Sequence, residues 1–356
     1  MRKQLYLFIL FLISLAATSQ EKHWMLAPFV KADANNPCLI SSGISFVDPI
    51  LKKSVAWEEK DVFNPAAVVR NGKIYLLYRA EDKIGKHAGT SRIGLAASSD
   101  GLHFTKRKTP VLYPKNDAFK KYEWEGGCED PRIVETRNGN YVLTYTAYDG
   151  KVARLLIGTS KDLINWKKHG PVFTGADRDL WSKSGAIISR RVGSKMIAEK
   201  VNGKYWMYWG DTDIFLATSD DLVKWTPVID KTTGKLLAVI SPRAGMFDSD
   251  LVEPGPPAMI TKNGILLIYN SRNKDQNGDP KLPSGTYTAG QALLSLSDPT
   301  KLIDRSENYF MKPDKEYEIT GQVNNVVFLE GLVYFKKKWF MYYGTADSKI
   351  AVAVKE

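Results

Sequence analysis

Asn71-Gly72-Lys73-Ile74-Tyr75-Leu76-Leu77-Tyr78-Arg79 is the stretch on which the fold turns. Asn and Gly both accept positive φ, so Asn-Gly ahead of a run rich in Tyr, Leu and Ile predicts a tight hairpin feeding a strand. The unit returns as Asn138-Gly139-Asn140-Tyr141-Val142-Leu143-Thr144-Tyr145 and as Asn202-Gly203-Lys204-Tyr205-Trp206-Met207-Tyr208. It returns again as Asn263-Gly264-Ile265-Leu266-Leu267-Ile268-Tyr269, and lastly as Lys337-Lys338-Trp339-Phe340-Met341-Tyr342-Tyr343. Each copy is followed by a second run with small residues, near Ile93–Ser98, Leu155–Ser160, Ile214–Ser219, Ala292–Ser297 and Ile350–Ala353. Four of these run into a Ser/Asp turn, at Asp100, Asp162, Asp221 and Asp298, where the carboxylate closes an Asx turn. An aromatic follows in three cases, Phe104, Trp166 and Trp225, placed to pack between neighbouring sheets.

The copies begin about 60 to 75 residues apart, which holds one four-stranded sheet plus loops. Five copies predict an all-β, five-bladed β-propeller over residues 41–356, with residues 21–40 as an N-terminal extension. The last strand, near Ile350, is expected to pair with N-terminal material, which removes an exposed edge. An ordinary β-sandwich would not produce five evenly spaced copies.

Residues 1–20 read differently. Arg2 and Lys3 precede an apolar run from Leu5 to Leu15, followed by Ala16-Ala17-Thr18-Ser19, the pattern of a secretory signal. The expectation is export, to a periplasm or beyond the cell, without membrane insertion. No later run is long enough to span a bilayer. The net charge of +11 comes from basic residues spread along the chain rather than from one stripe, which argues against nucleic acid as a partner. Lys106-Arg107-Lys108 and Lys336-Lys337-Lys338 read as strand-end turns. Two cysteines, Cys38 and Cys128, leave a disulfide open. Four histidines give little material for a metal centre or a Ser-His-Asp triad.

Five polar clusters sit at matching phases of the repeat: Asp61–Ala66, Gly126–Arg132, Ser182–Ala186 with Glu199-Lys200 after it, Val252–Ala258, and Thr320–Asn325 with Asp347 after it. Matching phase predicts one shared cavity holding carboxylates and cations. Glycoside cleavage asks for that set: an acid to protonate the leaving oxygen and a base to activate the attacker. Asp130, beside Arg132 in a Gly-rich turn, is the acid candidate. Glu199 and Glu253 are base candidates, and Arg79, Arg132, Arg154 and Lys200 are candidates for sugar hydroxyls or an anion. Each also has a plain reading: a capped turn for Glu129–Arg132, a solvated pair for Glu199-Lys200, a rigid loop for Glu253, a sheet-end cap for Arg79.

The chain resembles glycoside hydrolase family 130, the mannoside phosphorylases and β-1,2-mannosidases. The resemblance is carried by Asn64-Pro65-Ala66, Tyr78-Arg79-Ala80, Ser91-Arg92-Ile93-Gly94-Leu95-Ala96, Glu129-Asp130-Pro131-Arg132, Thr146-Ala147-Tyr148, Glu199–Tyr205, Gly255-Pro256-Pro257 and Tyr342–Asp347. It implies a five-bladed propeller. It implies Asp130 as general acid, acting in the phosphorylases through the mannose 3-hydroxyl. It also implies Asn64, Arg79 and Asp347 as ligands of the terminal mannose, and places Arg154 and Lys200 at phosphate-binding positions. Two departures point to the hydrolytic branch. Met207-Tyr208-Trp209-Gly210-Asp211 stands where phosphorylases carry a His-Arg-Pro-like segment, and Glu253 stands where they carry small residues. A carboxylate in place of cations disfavours a phosphate dianion.

The resulting expectation is an exported, inverting hydrolase that releases mannose from β-1,2-linked mannosides. Asp130 is its acid, and Glu253, with Glu199 as helper or substitute, positions the water. Its partner is a mannose-containing oligosaccharide, and no metal or organic cofactor is implied. The alternatives are a phosphorylase making mannose 1-phosphate and a non-catalytic carbohydrate-binding propeller. Oligomeric state is left open.

Overall fold

In all four Asn-Gly units the glycine takes positive φ, and in the first and third, at Asn71 and Asn202, the asparagine does too. Asn71 (φ 49°) and Gly72 (φ 72°) join the strands Asp61–Arg70 and Lys73–Glu81, with Arg70 opposite Lys73. In the last copy Lys336 and Lys337 take positive φ instead. The computed structural model describes residues 22–87 and 89–356; the signal expected at 1–20 lies outside them. The described chain is nearly all β, with two short helices, Lys120–Glu123 and Glu316–Ile319, and a 3-10 turn at Gly175–Asp179.

The strands form five antiparallel runs. The first is Asp61–Arg70, Lys73–Glu81, Ser91–Ser98 and Thr105–Lys106. The second is Gly127–Glu135, Tyr141–Tyr148, Ala153–Ser160 and Lys167–Pro171. The third is Ala186–Ile187, Tyr205–Trp209, Ile214–Ser219 and Thr226–Pro227. In the fourth, Leu251–Pro254 and Met259–Thr261 both pair with Gly264–Arg272, followed by Tyr287–Leu294 and Leu302–Arg305. The fifth is Val327–Phe335, Lys338–Thr345 and Lys349–Lys355, and the last of these also pairs with Val30–Lys31. Single parallel pairs, such as Ser91 with Gly127, link neighbouring runs.

The core lies between the runs. Leu77, Ile93, Leu143 and Tyr145 join the first to the second, and Val134, Leu155, Met207 and Trp209 join the second to the third. Tyr208 and Leu216 meet Leu267 and Ala292, and Ile268 meets Leu329 and Tyr343. Leu76 and Tyr78 meet Tyr342 and Val352, so the fifth run packs on the first. Phe104 packs edge-on against Tyr342, and Trp225 is buried in the cluster of the second and third runs. The Asp of each Ser/Asp turn accepts backbone amides as expected, for instance Asp100 from Leu102 and His103.

Four repeats share a buried device. The tyrosine that ends the repeat strand donates to an acid, and a cation neutralises that acid. Tyr78 donates to Glu58 (2.7 Å), Tyr145 to Glu123 (2.8 Å), Tyr269 to Asp248 (2.9 Å) and Tyr343 to Glu318 (2.9 Å). Their cations are Lys106, Lys168, Arg305 and Lys31. In the remaining repeat Tyr208 donates to the Pro299 carbonyl. Cys38 and Cys128 are free thiols.

Arg92 anchors the hairpin Ser45–Val47 and Ser54–Ala56 from beneath. Its guanidinium, fully buried, bonds Asp48 and Asp82 at 2.7 Å each, and both acids are buried. Arg92→Met leaves two buried carboxylates without a counter-charge, so a loss of about 3–5 kcal/mol is expected in urea unfolding. A loss below ~1 kcal/mol would mean that water reaches these acids.

Candidate active site

The inner strands break register at the same place in several repeats. The ladder slips between Phe63 and Pro65, between Glu129 and Arg132, and between Leu329 and Gly331. Pro65 and Pro131 have no N–H to give the ladder, which favours a bulge there. A bulge re-aims the extra residue. The residues so released include Asn64 and Asp130, at φ 47° and 46°, and Ser184 takes φ 57° at the matching point of the third repeat. Positive φ is unusual outside glycine and is least costly for Asn and Asp.

These residues converge on a cavity of about 120 Å³ lined by Asn64, Arg79, Asp130, Lys183, Glu253 and Asp347, with Tyr287, Val323, Val326 and Phe328 as an apolar wall. A larger groove of about 680 Å³ beside Tyr113 and Trp166 has no carboxylate in its lining, so size does not locate the chemistry.

Asp130 accepts from Asn64 Nδ2 at 2.9 Å and from Arg79 Nη1 at 3.2 Å. Arg79 also holds Glu81 at 2.7 Å and Glu129 at 3.2 Å, so one guanidinium serves three acids. Ser184 Oγ donates to Glu253. Behind the cavity, Arg132 donates to the carbonyls of Pro254 (2.8 Å), Gly255 (3.0 Å) and Asp130 (3.1 Å) and pairs with buried Glu330. It braces the two catalytic-candidate segments against each other without lining the cavity.

Burial pushes every carboxylate here upward, and the nearby cations decide how far each follows. Glu253 is pushed up to about 7 by burial, against the pull of Lys183 and Arg132. Asp347 rises to about 6, burial again outweighing Arg79. For Asp130 burial loses: Arg79, Lys183 and the Asn64 hydrogen bond hold it below the usual carboxylate range. Its neighbour Glu129 is raised by burial, with the Asp130 charge adding to the effect. Glu129 and Asp130 share Arg79, so a proton taken up here belongs to the pair. Burial pulls Lys183 down, but Glu253, Asp130 and Glu129 outweigh it and keep it charged.

The structure therefore brings together Asn64, Arg79, Asp130, Glu253 and Asp347. It places four expected residues elsewhere, the first being Arg132, which lies behind the cavity on the Pro254 and Gly255 carbonyls. Glu199 is committed to Arg137 (2.6 Å) and Arg190 and does not line the cavity. Lys200 is exposed, over the Tyr205 ring. Arg154 is held by Asp149 and Asp179. The expectation of a single shared cavity is corrected for these four: Glu199 and Lys200 follow the bulge of their repeat by about fifteen residues, a whole strand hairpin further on, the register slip before Arg132 turns it to backbone carbonyls, and Arg154, on the third strand of its run, is taken up by Asp149 and Asp179. Lys183 holds the place expected of Lys200. It immediately precedes Ser184, as Glu129 precedes Asp130, and that phase is the signal that finds it. Tyr287 carried no such signal.

This all-β frame turns carboxylates and cations from several runs into one small hollow, the set of groups that glycoside cleavage asks for. The model of glycoside hydrolase family 130, described as β-1,4-mannooligosaccharide phosphorylase, matches residues 39–356, and the chain belongs to that family. A 1,2-β-oligomannan phosphorylase of Thermoanaerobacter sp. (strain X514) is 34% identical over 318 residues, 86% of this chain and 95% of that protein. The crystal structure of a glycosyl hydrolase from Bacteroides ovatus is 47% identical with a TM-score of 0.92, covering 95% of this chain and 96% of the other. A second structure comes with the finding that the family of mannoside phosphorylases contains glycoside hydrolases that target β-1,2 mannosidic linkages in Candida mannan. It is 47% identical with a TM-score of 0.91, over 94% of this chain and 95% of the other.

Proposed function

We propose that this protein is a hydrolase that releases the terminal mannose of β-1,2-linked mannosides with inversion, from a five-bladed propeller, after export directed by residues 1–20. The observation that carries the reading is Glu253: a carboxylate tied to Ser184, in the same small cavity as Asp130. Asp130 gives the proton, directly or through a sugar hydroxyl, and Glu253 takes one from water. Arg79, Asn64 and Asp347 hold the sugar. A sugar seated between Asp130 and its cations loosens their grip, which lets the proton shared with Glu129 reside on Asp130.

The pH dependence follows. Glu253 must be ionised, so kcat/KM rises with pH through about 7. The Glu129–Asp130 pair must keep one proton, so the rate falls again as pH climbs beyond the raised Glu129. A narrow bell is expected in initial rates between pH 4 and 10. A plateau extending to pH 10 would remove the acid from this pair.

Phosphorolysis is the second reading, and two observations favour it. The curated relative is a phosphorylase, and Lys183 lines the cavity with no salt bridge among the described residues, leaving a cation for an anion to meet. Incubation of β-1,2-mannobiose with and without phosphate decides. Free mannose without phosphate supports hydrolysis; product only with phosphate, as mannose 1-phosphate, supports the second reading. Binding without product supports a non-catalytic module.

A further inference from the structure

Trp181 is half exposed, at 51%, and is the one aromatic among the exposed large apolar side chains of the described residues. An indole carries a large apolar payload, so leaving it in water needs a reason. It is not loose: Nε1 donates to Asp211 Oδ2 at 2.8 Å. That tether lies at the cavity. The Gly210 N–H donates to the Lys183 carbonyl at 2.9 Å, and the Val252 N–H donates to the Thr212 carbonyl at 3.1 Å. Residues 210–212 are thus stitched to the segments carrying Lys183 and Glu253, both of which line the cavity. Within the Trp181 segment, Ser182 and Ser184 are buried and bonded inward, to the Leu155 N–H and to Glu253. The Asp211 carboxylate that holds the indole also acts electrostatically on both Lys183 and Glu253, so the tether stands beside the charges that line the cavity.

We propose that the Trp181 indole is the stacking platform for the second sugar of the substrate, the one beyond the residue held in the cavity. A hollow of about 120 Å³ cannot enclose two sugar rings, so the rest of a mannoside must lie at its mouth. There a fixed aromatic face offers apolar surface to the C–H face of a sugar, and its N–H is already satisfied. The inference rests on the mannoside reading above.

The test compares β-1,2-mannobiose with methyl β-mannoside, which lacks the second sugar. Trp181→Ala is expected to lower kcat/KM on mannobiose about tenfold, with a loss at least fivefold smaller on methyl β-mannoside, and Trp181→Phe to recover most of it. Tryptophan fluorescence of the wild type should respond to β-1,2-mannotriose, and the Trp181→Phe response should be largely lost. Equal losses on both substrates, or an unchanged fluorescence response in Trp181→Phe, would overturn the platform. A wild-type protein that neither cleaves nor binds these mannosides would instead overturn the functional reading on which it rests.

Discussion

Asp130→Asn is expected to lower kcat on β-1,2-mannobiose by about 10³-fold or more, since a positioned acid contributes roughly 10²–10⁴ and Asn has no proton of comparable acidity to give. The change keeps the shape of the side chain. Arg79 remains held by Glu81 and Glu129, and Asn64 still faces a carbonyl oxygen. Folding should survive, and the loss should fall on kcat more than on KM. Removing the Asp130 charge also removes one of the groups that raise Glu129. Burial, the larger cause, still raises Glu129, so its titration moves down only in part. Initial rates with thermal melts of both proteins test this, and a kcat within threefold of wild type would take Asp130 out of the reaction.

Glu253→Gln carries the second large effect, a fall in kcat of about 10²–10⁴ for loss of the base. It separates from an ordinary folding defect by its sign on stability. The folded protein holds the Glu253 proton more tightly than the unfolded chain, because burial raises the group to about 7. Wild-type stability from this group is therefore fully present below the unfolded value and is lost as pH rises through about 7. Gln carries no charge to bury and still accepts from Ser184. Its Tm relative to wild type should be higher at pH 8 than at pH 5. Lost activity with a Tm that falls equally at both pH values would make Glu253 a structural residue.

The repeat was legible because its signal is local: Asn-Gly and a tyrosine-rich run fall within nine residues of each other. The acids that receive those tyrosines were not. Glu58 precedes Tyr78, and Glu123 precedes Tyr145, by about twenty residues, with nothing in the intervening sequence to tie them. Lys106 shows the same limit. It reads as a strand-edge lysine, yet its ammonium is spent on buried Glu58. At the site, Asp130 was legible from its Gly-rich turn beside Arg132 and Asn64 from its cluster and the family resemblance, whereas the bulges that turn both into the cavity came from the structure. Glu253 was legible as a carboxylate in a Pro/Gly-rich segment. Glu199 misled because Glu199-Lys200 adjoins the repeat strand, whereas the cavity is built where the inner strand begins. Arg132 lies in the same motif as Asp130, but the bulge between them turns it back into the core. Lys183 carries the phase of Glu129 and could have been read from it; the ties of Lys183 to Gly210 and of Trp181 to Asp211 needed the structure.

Time-resolved proton NMR of β-1,2-mannobiose turnover in phosphate-free buffer tests the attacker most directly. Water attacking opposite Asp130 makes α-mannose the first-formed anomer, with the β-anomer growing in later by mutarotation. First-formed β-mannose would contradict inversion, and an absence of any mannose until phosphate is added would contradict water as the nucleophile.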